Sequence, residues 1–112
     1  MKHFYYTEIE AQEVGEPAKG VKVRWLIDDK TPAPNFAMRM FTVEPEGYTP
    51  KHIHDWEHEV YILGGSGMVF GNGGEELVRP GDVVYVPPNE EHQFRNTGKE
   101  ELKFLCLIPI KK

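Results

Sequence analysis

The sequence predicts an all-β fold, a small antiparallel barrel or sandwich, and three observations predict it. Apolar residues gather in short runs rich in β-branched and aromatic side chains. Eleven glycines and nine prolines interrupt those runs every few residues. Few segments carry a helical period. Many short strands at regular spacing fit an antiparallel closed or two-layered sheet.

The elements follow in chain order. The first 20 residues are the least patterned, and a strand near 3–9 is compatible with them. "VKVRWLI" (21–27) and "FAMRMFTV" (36–43) read as strands, and "DDKTPAPN" (28–35) between them reads as a loop of turn formers. Next come "EVYIL" (59–63), "GMVFG" (67–71), "EELV" (75–78) and "DVVYV" (82–86). "GNGG" (71–74) predicts a hairpin, because Asn-Gly favours the positive φ values of a primed turn. "HQFRN" (92–96) and "LKFLCLIPI" (102–110) complete the set.

Composition removes several classes of function. The chain has 112 residues, with 39% hydrophobic and 28% charged. That is the length of one domain with an ordinary soluble balance. The net charge of -5 argues against nucleic acid, whose partners are basic. No apolar run approaches the roughly 20 residues that span a bilayer. "MKHFYYTEIEAQEV" lacks the apolar stretch of a signal peptide, so a cytoplasmic protein is expected. The lone cysteine, Cys106, leaves no internal disulfide and no thiolate zinc cluster.

Histidine carries the chemistry. Three of the five histidines fall within "KHIHDWEHEV" (51–60). If one strand carries the segment, His52, His54 and His58 share a face and Glu57 and Glu59 take the other. Val60 and Ile62 continue the histidine face as an apolar interior. His92 opens another predicted strand. A lone strand histidine is more often solvated or hydrogen-bonded than a ligand. Three in phase with a distant fourth favour a metal, because neutral imidazole is the commonest side-chain ligand.

"GYTPKHIHDWEHEVYILGG" closely resembles the first cupin motif: a glycine, H-x-H, an acidic residue three or four positions later, and a closing glycine. "GDVVYVPPNEEHQFRN" resembles the second, with Gly81, Pro87, His92 and Asn96 in place. Asn89 stands where a second glycine is usual, and asparagine tolerates the left-handed backbone of a tight turn. In the first motif, the three-residue spacing lands on His58 and the four-residue spacing on Glu59. Parity selects His58, since Glu59 needs a bulge to join the same face. With "APNFAMRMFTVEPEG" and "FLCLIPI" added, the chain is similar to small single-domain manganese cupins that use four histidines and no carboxylate.

The resemblance implies a jelly roll, the double-stranded β-helix of cupins, as a single domain over 1–112. The metal-binding barrel would span about 36–110, and N-terminal strands within 1–35 would be available for dimerisation. It implies His52, His54, His58 and His92 as ligands, with Glu59 outside the set. Manganese is the favoured ion and iron the next, while raw affinity favours copper, nickel and zinc.

Parity supplies candidate pocket walls. Phe104, Cys106 and Ile108 share one face of the last strand, and Phe94 lies two residues from His92. Arg39 keeps two readings: a surface position with a solvated guanidinium, or a pocket cation that pairs with an anionic group. Tyr48, Trp56, Phe94 and Phe104 read as core or interface aromatics before substrate stackers. The expected function is an oxidoreductase, dioxygenase- or peroxidase-like, acting on a small organic substrate. The alternative is a non-catalytic module that binds a small carboxylate or sugar-like ligand through the metal. Leu105 and Leu107 give the last strand a second apolar face, which implies a homodimer packed sheet to sheet.

Overall fold

The structure, a computed structural model, describes residues 1–111. Among the described residues the nine strands are β1 (Gln12–Glu13), β2 (Lys19–Ile27), β3 (Phe36–Tyr48), β4 (His58–Gly64), β5 (Gly67–Gly71), β6 (Gly74–Val78), β7 (Val83–Val86), β8 (Gln93–Arg95) and β9 (Leu102–Pro109). They form a curled antiparallel sheet in the order β6-β5-β8-β3-β9-β4-β7, with β2 on β3 and β1 on β2. This is the predicted jelly roll.

Side-chain alternation sets which face is inside. In β4, His58, Val60 and Ile62 are buried while Glu59, Tyr61 and Leu63 are exposed. In β9, Leu102, Phe104 and Cys106 are buried, and Leu105 and Leu107 lie half-buried on the opposite face. Inside, Phe104 stacks between Phe41 and Phe94, with ring centroids 5.3 and 4.6 Å away. Leu102, Ile62 and Val43 close the core beneath this stack.

β3 runs to Tyr48, five residues past the predicted strand, because it changes partners at a bulge. Residues Phe36–Val43 pair with β9, and Tyr48 pairs with Arg95 of β8. Glu46 (φ 68°) and Gly47 lie within the irregular stretch. A Cβ at Gly47 would lie 2.5 Å from the Lys19 carbonyl oxygen, so only glycine fits there. Asn96 locks the adjoining turn. It is 3% exposed, and its Nδ2 donates to the carbonyls of Val43 (2.9 Å) and Glu100 (2.8 Å).

Two local expectations are corrected. Residues 3–9 hold no strand but a 3-10 turn at Tyr6–Glu8, where Glu8 Oε2 accepts from the Tyr5 amide (2.8 Å). That side-chain acceptor offers the backbone an alternative to a sheet ladder. The 71–74 hairpin forms, with Gly71 opposite Gly74, but the positive φ falls on Gly74 (101°) and not on Asn72 and Gly73. The turn is therefore not the primed type. Elsewhere the prediction for Asn89 matches, since its φ is 67°.

Candidate metal centre

His52, His54, His58 and His92 converge so that one ligand atom from each lies within 4.8 Å of all the others. The convergence has a different origin from the single-strand parity expected. His52 and His92 form an isolated antiparallel bridge, exchanging backbone hydrogen bonds of 3.2 and 3.1 Å. His54 rides on an irregular loop, and β4 begins only at His58. The left-handed Asn89 of the second motif donates its amide to the His54 carbonyl (2.7 Å), so one motif's turn pins the other motif's loop.

The rings are aimed by their outer nitrogens. His54 Nδ1 faces the Trp56 carbonyl oxygen (3.0 Å) and His92 Nδ1 faces that of Glu90 (2.9 Å). A carbonyl only accepts, so each Nδ1 carries the proton and each Nε2 presents a bare lone pair inward. Trp56 also stacks flat on His54, centroid to centroid 4.1 Å, and Lys111 holds that loop through Asp55 (2.8 Å) and the Trp56 face (4.3 Å). His58 Nδ1 meets Cys106 Sγ at 2.9 Å and Arg39 Nη2 at 3.3 Å. The Nε2 atoms of His54 and His58 are 2.7 Å apart. Two imidazole nitrogens bound at right angles to one ion stand about 2.9 Å apart, so the donor set fits a single first-row cation.

Desolvation within the site favours the neutral imidazole, the form a metal requires, at His52, His54 and His58. It lowers the pKa of His52 and of His54, with His92 and Arg39 adding to the effect. His58 is pushed down to about 3, first by burial and then by Arg39 and its histidine neighbours. A pKa lower in the folded than in the unfolded chain means that the unfolded state takes up more protons as the pH falls below about 6.5. Stability from this source is complete above that pH and declines toward pH 3. The metal-free protein is therefore expected to melt lower at pH 5 than at pH 7.5, by less in His58→Gln. An unchanged or higher melting point at pH 5 contradicts this.

The histidines line a cavity of about 450 Å³. All five candidate wall residues, Arg39, Phe94, Phe104, Cys106 and Ile108, line it too. Arg39 thus points inward, opposite Cys106 in the β3–β9 register. Cys106 is 3% exposed; burial raises its thiol pKa, against the pull of Arg39. Glu59 is exposed on the outer face of β4, opposite Tyr85 and Leu107. The sequence reading left Trp25 unassigned and placed Trp56 in the core or an interface, yet both line the cavity, as does Phe41 on the strand face of Arg39. Trp25 lies opposite Arg39 in the β2–β3 register, so a strand within residues 1–35 builds part of the wall. Its parity with Val21 and Val23 was the available signal.

The sequence matches the family described as Cupin domain over residues 39–108. The chain is a cupin. Among solved structures, this cupin is similar to the polyketide cyclase RemF from Streptomyces resistomycificus, with a TM-score of 0.92 and 38% identity over 99% of this chain and 80% of that one. It is also similar to a predicted oxalate decarboxylase from Thermotoga maritima, with a TM-score of 0.84 and 27% identity over 98% and 100% of the two chains. A curated oxalate-binding protein of Thermotoga maritima is 40% identical over 58 residues, 51% of this chain and 48% of that protein. The cupin spans about half the length of the curated relatives it matches. Among the described residues, no helix is long and apolar enough to cross a membrane.

Proposed function

We propose that this cupin is a metal-dependent oxidoreductase, dioxygenase- or peroxidase-like, acting on a small and largely apolar organic molecule. His52, His54, His58 and His92 hold its single divalent ion. One observation carries the reading: four inward-facing imidazoles share an aromatic and aliphatic cavity whose one carboxylate among the described residues is Glu13. Glu13 is exposed and lies 3.9 Å from Lys22, so no dedicated acid–base carboxylate serves the pocket. Bound there, the ion supplies Lewis acidity and, as manganese or iron, redox chemistry at the positions the histidines leave open. Manganese is the first choice on the four-histidine resemblance; iron, zinc, nickel and copper follow.

The chain's own residues bind and orient. Phe94, Phe104 and Ile108 exclude water and pack the carbon skeleton of an aromatic or unsaturated substrate. A second reading, ring closure without an external oxidant, is favoured by the likeness to RemF, a polyketide cyclase. Oxygen and peroxide consumption by the manganese and iron forms, measured against phenols, styrenes and small keto acids, separates the readings. Metal-dependent consumption of either oxidant is expected. Turnover without it favours the cyclase reading, and tight binding without turnover favours the module for a small carboxylate or sugar-like ligand.

We also infer a homodimer. Tyr61, Leu63, Val83 and Tyr85 are exposed on β4 and β7, with Tyr61 opposite both Val83 and Leu105 in register. Together with Leu105 and Leu107 they form an outer apolar band that a second copy would cover. Light scattering at micromolar concentration is expected to return twice the 12.9 kDa chain mass, and a monomer mass contradicts the dimer.

A further inference from the structure

Arg39 presents an uncompensated charge. Its guanidinium is a cation with five N–H donors. Its contacts use Nη2 alone, toward Cys106 Sγ (3.1 Å) and His58 Nδ1 (3.3 Å). Nε is buried with no hydrogen-bond partner. Trp25 and Phe41 turn their ring faces to the guanidinium carbon at 5.3 and 4.9 Å, which offsets part of the charge and supplies no acceptor. No carboxylate of the described residues lies within 4.0 Å of it; the ion pairs among those residues involve other side chains. Arg39 is half-buried, and charges drawn even partly out of water are ordinarily paired, so this one is short of an anion.

The imbalance grows with the metal in place. Four neutral imidazoles leave the full charge of a divalent ion uncancelled, and Arg39 adds another positive charge one imidazole ring away, across His58. We infer that Arg39 is the receptor for a carboxylate group of the ligand, and that the pocket selects small apolar monocarboxylates over neutral molecules of the same shape. The carboxylate takes the donors that Arg39 leaves unused. The apolar body lies against Phe94, Phe104 and Ile108, and a second oxygen, where the ligand has one, reaches the histidine centre. Arylcarboxylates and oxygenated aliphatic acids have this form. The inference rests on the pocket being the ligand site and names the ligand's charge.

The test compares benzoate with its neutral isostere benzamide by titration calorimetry, on the manganese-loaded and the metal-free protein. Benzoate is expected to bind at least tenfold more tightly than benzamide in both forms. In Arg39→Gln the preference should disappear through loss of benzoate affinity, with benzamide affinity held within twofold. Arg39→Lys should restore part of it. Equal affinities in the native protein, no binding of either probe at millimolar concentration, or an undiminished benzoate preference in Arg39→Gln each overturns the inference. Should Arg39→Gln lose benzamide as well, Arg39→Lys decides: a kept benzoate preference supports the receptor role and a lost one ends it. Because the metal-free arm needs no ion, a failed metal assignment leaves its benzoate preference intact, so the two failures are told apart.

Discussion

Replacing His58 by alanine is expected to weaken binding of a divalent ion by more than about 100-fold, the upper range for losing a residue that merely orients a ligand. Glu59→Gln, one residue away, should leave affinity nearly unchanged. His58 is 7% exposed and its Nε2 lies 2.7 Å from that of His54, while Glu59 faces outward between Tyr85 and Leu107. The alanine removes a donor fixed by the first residue of β4 and opens another coordination position. Metal titration by calorimetry on both variants checks the pair. If the glutamine variant empties the site and the alanine variant does not, the assignment by strand face is wrong.

Phe104→Ala should have the largest effect on stability, a loss of about 3–5 kcal/mol. Phe104 is 2% exposed and stacks between Phe41 and Phe94, so its ring joins β3, β8 and β9. Truncation leaves a void next to the metal cavity, and neighbours tied into three strands collapse only partly. For a chain of this length the loss corresponds to a fall in melting temperature of roughly 10–20 °C. Phe36→Ala, at a residue 63% exposed, is the control and should change stability by under about 0.5 kcal/mol. Similar melting points for the two variants would contradict the placement of the aromatic stack.

The strands were legible wherever one face is buried and the other is not. β4 and β9 alternate cleanly, so Val60, Ile62, Phe104 and Cys106 could be assigned inward from the sequence. The four histidines were legible as a set for a partly mistaken reason. A strand running through 52–58 was assumed, whereas "IHDWE" carries no glycine or proline to announce the loop that lifts His54 into place. The bridge between His52 and His92 is a tertiary pairing across 40 positions of chain, invisible to local pattern. Arg39 kept two readings because parity cannot say which face of β3 is covered; its register with Trp25 and Cys106 settles the direction. Near the N-terminus, Glu8 accepts from the Tyr5 amide at the start of a 3-10 turn, a local contact that the strand pattern did not announce.

Anomalous diffraction from a crystal of the manganese-loaded protein tests the central claim most directly. The account predicts one peak, in bonding distance of a ring nitrogen from each of His52, His54, His58 and His92, with Glu59 turned away and the remaining positions opening into the cavity beside Phe94 and Phe104. A peak elsewhere, a carboxylate from Glu59 in place of His58, or a fully loaded sample with no peak among the four imidazoles would contradict it.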